Sequence, residues 1–222
     1  MFQKFLTTGP ACRATDRARP ELGGRPFASA TQLQSYALRT RSIVVKNILI
    51  FSGSPRKGGN SDLLCDQFMA GASEAGHAVE KIWVHGQKIA PCLGCMHCQS
   101  HAGACVQNDG MADILQKMIA ADVLVLASPV YFYSVSAQIK ALIDRTVARY
   151  TEIKNKSMYY IITAADTDLS HMQRTIECFR GFAYCLEGAE EKGVVYGVGA
   201  WGKGDIKALP SMGQAFDMGK NV

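Results

Sequence analysis

The sequence predicts an α/β chain built on a parallel, doubly wound sheet of five strands in three layers, with helices on both faces. Three observations carry that expectation. Five short apolar runs alternate with stretches of helical periodicity, the pattern of βα units. The first run, Ile48–Phe51, is continuous and not alternating, as in a strand buried on both faces, and the run Asp122–Ser128 is apolar enough to be the sheet centre. Finally, the first run leads through a loop of small and basic residues into a helical pattern. Crossovers in such sheets are right-handed, and ligands sit beyond the strand C-termini where the strand order reverses.

Taken in order, strand one spans about Ile43–Ser52. The loop Ser52–Gly59 cannot continue it, because Pro55 lacks a ladder donor and Gly58 and Gly59 free the backbone. Asn60, Ser61 and Asp62 suit the start of a helix running to about Ala75, with Leu64, Phe68, Ala72 and Ala75 on one face and Gly76 as its terminator. Val79–Val84 is a short strand, and Pro91–Asn108 a cysteine-rich loop. A helix follows over Gly110–Ala120, then the third strand, Asp122–Ser128, and a loop, Pro129–Ser134. Ser136–Arg149 reads as a helix with Ile139, Leu142, Ile143 and Val147 inward. Lys156–Thr163 is strand four, Leu169–Leu186 a helix, Gly193–Val198 strand five and Ser211–Lys220 the last helix.

The loop after strand one has the makings of an anion site. Free backbone N–H groups and the positive end of a helix dipole converge there. Ser52, Ser54 and Ser61 add hydroxyls and Arg56 a guanidinium. The loop is neither Gly-x-x-x-x-Gly-Lys-Ser/Thr nor Gly-x-Gly-x-x-Gly, which disfavours a P-loop hydrolase and a dinucleotide fingerprint. A small polar βα turn without a ligand is the plainer alternative. The loops after strands one, three and four are expected to line one crevice. The second of them carries Tyr131, Phe132 and Tyr133 beside Pro129, which suits a flat ring, or else plugs the sheet end or an oligomer contact.

The formal charge of +5 is unevenly placed. Residues 1–46 hold eight basic and two acidic side chains, a net of +6, so the other 176 residues, with 16 basic and 17 acidic, carry −1. That removes the electrostatic basis for nucleic-acid binding. No run of eighteen apolar residues suggests a membrane span. Residues 1–45 have no apolar period and read as a disordered or targeting-like extension ahead of a domain at 46–222. They are Arg-rich and acid-poor like a transit peptide but lack a secretory core. The expected location is cytoplasmic, or an organelle if the extension is a transit peptide.

Four of the eight cysteines crowd the loop as Cys92, Cys95, Cys98 and Cys105, a C-x2-C-x2-C-x6-C pattern. Such clustering without a secretory signal points to a metal, a cluster or redox chemistry before a disulfide framework. Four close thiolates suit a [4Fe–4S] cluster. They also suit zinc, alone or with His97 or His101, and a metal-free reduced loop is the third reading. Cys65, Cys178 and Cys185 read as buried, inert thiols. His77, His85 and His171 have no partner recognisable in sequence. The chain shows no Ser-His-Asp set, which disfavours hydrolysis.

The segments Gly53–Ser61, Cys92–Cys98, Cys105–Met111, Ser128–Phe132 and Lys140–Arg145, with Gly202–Ile206 and Ala215–Lys220, occur here in the order they take in one family. Through them the chain resembles the flavodoxin-like NAD(P)H-dependent FMN oxidoreductases, and in particular their iron–sulfur flavoprotein branch. The resemblance spans Lys46–Val222 and departs at Gly110, where a second Asp would follow Asp109. It implies a flavodoxin-like fold and bound FMN. Ser52, Ser54, Arg56, Asn60 and Ser61 would hold the phosphate, and Pro129, Val130, Tyr131 and Phe132 would wrap the isoalloxazine ring. NAD(P)H would be the hydride donor, and a quinone, a nitro or azo compound, or a protein the electron acceptor. The four loop cysteines would be the ligands of any [4Fe–4S] cluster. A homodimer or homotetramer is implied as well. The competing function is a flavoprotein carrying electrons between proteins without turning over NAD(P)H; a flavin-free metal or redox sensor is a third.

Overall fold

The computed structural model describes residues 44–222. The reading of residues 1–45 as an extension therefore falls, all but its last two residues, outside the described part.

Five strands form one sheet in the order β2-β1-β3-β4-β5, and every pairing is parallel. They are β1 (Asn47–Ser52), β2 (Ala78–Trp83), β3 (Val123–Pro129), β4 (Ser157–Ala164) and β5 (Glu190–Val198). The helices are α1 (Asn60–Glu74), the single turn α2 (His97–Ser100), α3 (Met111–Ala120), α4 (Ala137–Arg145), α5 (Gln173–Tyr184) and α6 (Ser211–Lys220). This is the flavodoxin-like arrangement expected from the sequence.

The central strand β3 is buried along its whole length, which explains its continuous apolar run. Two cores lie on opposite faces of the sheet. One gathers Leu49, Leu124, Tyr160 and Ile162 with Ile114 of α3, Ile139 of α4 and Phe179 of α5. The other packs Ile48, Val125 and Ile161 against Leu64 and Phe68 of α1 and Ala215 of α6. Helices α1 and α6 approach so closely that a methyl group on Gly219 would lie 2.0 Å from the Phe68 carbonyl oxygen.

Several expected boundaries move. Strand one starts at Asn47, not Ile43, because its pairings begin at Asn47↔Ala78 and Ile48↔Val123; Val44 and Val45 lie exposed before it. Strand five starts at Glu190, three residues before Gly193. Its first residues are charged and exposed because β5 is an edge strand, so the ladder Ser157↔Glu190 has no apolar signature. Strand three runs on through Pro129, which pairs with Thr163. Helix α4 stops at Arg145, followed by 3-10 turns at Thr146–Ala148 and Tyr150–Glu152; the Thr146 hydroxyl takes the Ile143 carbonyl at 2.7 Å. Val147, expected inward, is therefore exposed. The helix expected over Leu169–Leu186 begins as a 3-10 turn capped by Asp168 and is α-helical only from Gln173 to Tyr184. Cys185 thus lies beyond the helix and is exposed, and Cys178 is half-buried; of the three cysteines read as buried, only Cys65 is. Burial pushes the Cys65 thiol far above its ordinary value, consistent with an inert group.

Candidate functional site

At the C-terminal end of β1 the chain turns sharply away from the sheet. The Gly53 N–H donates to the Ala127 carbonyl at 2.8 Å, and a Cβ on Gly53 would sit 2.6 Å from that oxygen, so only glycine allows this approach. Gly58 adopts a left-handed conformation (φ +66°), and Gly59 caps α1 without any side-chain cap bond. The first amides of α1 are thus left to whatever occupies the loop. Arg56 is exposed beside it, and the Lys203 side chain lies over it: a Cβ on Gly58 would be 3.9 Å from Lys203 Nζ.

The five residues assigned to a phosphate take different positions. The Ser52 hydroxyl is fully buried and donates to Asp62 Oδ1 at 2.8 Å, so it is spent inside the loop. Ser54 Oγ accepts from the Arg56 N–H at 3.2 Å. Ser61 Oγ lies 2.6 Å from Thr163 Oγ1 on β4. The Asn60 amide is committed elsewhere: it donates to the carbonyls of Ala200 (3.2 Å) and Gly202 (2.9 Å) and accepts from the Gly204 N–H (2.9 Å). It clamps the loop after β5 onto the start of α1.

Asp62, unremarked in the sequence beyond its capping propensity, is the loop's internal support. Its carboxylate accepts from the Gly58 N–H and from Lys81 on β2, at 2.8 and 2.9 Å, as well as from Ser52. Burial alone would push this carboxyl up; the hydrogen bonds from Gly58, Lys81 and Ser52 outweigh it and hold the group below its ordinary range. Lys81 also pairs with Asp66. On the outer side, the Trp83 indole N–H donates to the Ser54 carbonyl at 2.8 Å.

A crevice of about 430 Å³ opens beside the loop, within the roughly 300–1,000 Å³ usual for small-ligand sites. Arg56, Asn60, Pro129, Val130, Tyr131 and Thr163 line it, together with Ala164, Ala165, Ala200 and Trp201. The loops after β1, β3 and β4 meet there as expected. The loop after β5 is an addition; its signal in the sequence was the familial segment Gly202–Ile206, to which no site role was given. Phe132, by contrast, is fully exposed and outside the lining, on a turn where Phe132 and Tyr133 both have positive φ. The turn is held by reciprocal bonds between Tyr131 and Ser134. Tyr133 packs edge-on against His171, which bonds Asp166 at 2.6 Å, so His171 does have a partner. Asp166 raises the His171 pKa. His77 also has one, accepting from the Lys46 N–H.

The four loop cysteines border one small hollow of about 80 Å³, rimmed by Leu93, Met96, Val106 and Val147 with Arg145 at its base. Left-handed backbone at Gly94, Met96, Ala102 and Gly103 bends the loop around it. Among the described residues no three His, Cys, Asp or Glu side chains converge as they must around a single metal ion. His97 and His101 stack on each other, 3.6 Å between ring centroids. Asp109 makes good the departure at Gly110, accepting from the Met111 N–H at 3.1 Å to start α3.

Among the described residues no helix is long and apolar enough to cross a membrane. Residues 46–188 match the family of NADPH-dependent FMN reductases. An iron–sulfur flavoprotein of Methanosarcina thermophila is 40% identical over 96 residues, 43% of this chain and 50% of its own. One of Methanocaldococcus jannaschii is 41% identical over 99 residues, 45% of this chain and 51% of its own. The aligned part thus spans about half the length of these relatives. Among solved structures, the NAD(P)H:quinone oxidoreductase from Methanothermobacter marburgensis superposes with a TM-score of 0.61 at 16% identity, covering 80% of this chain and 96% of that one. An azoreductase from Bacillus anthracis gives 0.63 at 13% identity, over 80% and 100%. At these identities the structures speak to the fold.

Proposed function

The chain belongs to the NADPH-dependent FMN reductase family, and from that premise we propose that it is an FMN-dependent oxidoreductase that takes electrons from NAD(P)H. The observation that carries the reading is the crevice at the C-terminal ends of β1, β3, β4 and β5, floored by an uncapped helix N-terminus and flanked by Arg56 and Lys203. A phosphate monoester suits that floor: the first amides of α1, the Arg56 guanidinium and the Lys203 ammonium are all donors or cations. Pro129, Val130, Tyr131 and Trp201 offer apolar and aromatic surface for a flat ring.

Bound FMN supplies hydride acceptance from NAD(P)H and electron delivery to an acceptor. The protein binds, orients and shields. The Asn60 clamp holds the Trp201 loop as one wall, and the bond from the Val130 N–H to the Thr163 carbonyl at 2.8 Å fixes another. Asp62 supports the phosphate loop from within, its negative charge balanced by Lys81.

The electron acceptor we infer is a quinone, a nitro or azo compound, or a protein. Cys92, Cys95, Cys98 and Cys105 would hold a [4Fe–4S] cluster, a reading supported by their shared hollow and by the iron–sulfur flavoproteins among the relatives. A homodimer or homotetramer is proposed too; light scattering that gives a monomer would remove it. The deciding experiment is an absorption spectrum of protein purified without oxygen, with iron, sulfide and zinc assayed on the same sample and NAD(P)H oxidation followed with a quinone. Flavin bands, turnover and about four irons per chain support the full reading. Protein that takes up no FMN would refute it.

A further inference from the structure

The base of the cysteine hollow holds a side chain that the flavin site does not use. Arg145, the last residue of α4, is only 2% exposed. Its guanidinium grips Asp109 with two bonds, at 2.7 Å to Oδ2 and 2.9 Å to Oδ1. One nitrogen also donates to the Ala90 carbonyl at 2.9 Å, and the other to Cys105 Sγ at 3.5 Å. Asp109 in turn accepts from the Ala90 N–H at 3.3 Å and the Met111 N–H at 3.1 Å. The pair therefore ties both ends of the cysteine loop, Ala90 and Asp109, to one buried point, from which the guanidinium also reaches the Cys105 thiol.

A buried ion pair is a weak source of stability, since desolvation offsets most of the attraction. This pair sits where it fixes geometry. Arginine suits the task because its planar fork can hold a carboxylate on one side and still reach a sulfur; lysine offers a single point.

We propose that Arg145, locked by Asp109, is the positioning residue of the cysteine site: it clamps the two ends of the loop and donates a hydrogen bond to Cys105, setting the thiols for a metal–sulfur cluster. This rests on the cluster reading above. Groups that hydrogen-bond to metal ligands orient them and tune the metal, and their loss lowers metal retention by about 10- to 100-fold.

The test compares wild type, Arg145→Lys, Arg145→Met and Asp109→Asn, each checked for folding by circular dichroism. Two readouts use anaerobically reconstituted protein: the rate of iron loss to a chelator and the cluster midpoint potential. A third uses iron-free protein: amide exchange across residues 92–108. Arg145→Met should lose iron about 10- to 100-fold faster and shift the potential negative, because the donor to sulfur is gone. Arg145→Lys should fall between. Exchange in the loop should rise in all three variants while β1 and β4 stay protected. Wild-type exchange in the loop of Arg145→Met and Asp109→Asn overturns the clamp. Raised exchange with an unmoved potential overturns the bond to Cys105. Wild-type protein that retains no iron or sulfide overturns the cluster reading and the donor role with it, while exchange in the iron-free loop still decides the clamp.

Discussion

Replacing Asn60 with alanine isolates the link between the phosphate loop and the wall formed after β5. The side chain is buried and makes three bonds of 2.9–3.2 Å, to the Ala200 and Gly202 carbonyls and from the Gly204 N–H. Each such bond contributes about 0.5–1.5 kcal/mol, which bounds the loss at roughly 1.5–4.5 kcal/mol. Gly202 and Gly204 are half-buried, so water replaces part of what is lost, and the loop can detach without unfolding the sheet. The expected cost is therefore about 2 kcal/mol in urea unfolding of the FMN-free protein, with faster amide exchange across residues 199–205. FMN affinity should fall about 10-fold, since 1.4 kcal/mol of wall ordering then has to come from binding. Asn60→Asp should be worse for FMN: it keeps an acceptor for Gly204 but turns a carboxylate toward two carbonyls and the phosphate loop. A variant Asn60→Ala with unchanged urea midpoint, exchange and FMN affinity would refute the reasoning.

Further outcomes follow from the same geometry. Arg56→Ala should weaken FMN binding by about 10- to 100-fold through loss of a charge-assisted bond of about 1.5–3 kcal/mol, while riboflavin, which lacks the phosphate, binds unchanged; equal effects on both ligands would sink the phosphate assignment. Lys81→Met leaves the Asp62 carboxylate buried without its cation, at a cost nearer 2 than the ~3–5 kcal/mol of a deep pair because Lys81 is partly exposed; a urea midpoint equal to wild type would count against that network. The folded-state pKa values of Asp62 and Asp109 lie below 3.8, so the stability they contribute is fully present above about pH 4 and is lost as the pH falls through those lower values. Asp109→Asn should flatten that acid limb in a pH series of urea midpoints, and an acid limb as steep as wild type would show that Asp109 does not contribute to it.

What the sequence by itself determined is what local patterning can carry. The continuous run of β3 marked the sheet centre because both its faces are buried, and Pro55, Gly58 and Gly59 marked the end of β1 because no strand accommodates them. The cysteine spacing was visible as spacing. Edge strands were less legible: Glu190 and Glu191 pair by backbone with Ser157 and Met158, and a backbone ladder leaves no trace in side-chain polarity. Only the tertiary structure decided partnerships across distance. The family resemblance implied a phosphate role for Asn60, and the sequence alone gave no sign that its amide bonds residues 140 and more positions away. Arg145 and Asp109 lie 36 residues apart, and a salt bridge between them becomes evident only once α4 is folded back against the cysteine loop. A side chain's type limits the bonds it can make; which of them it makes is settled by the groups that packing brings within about 3 Å.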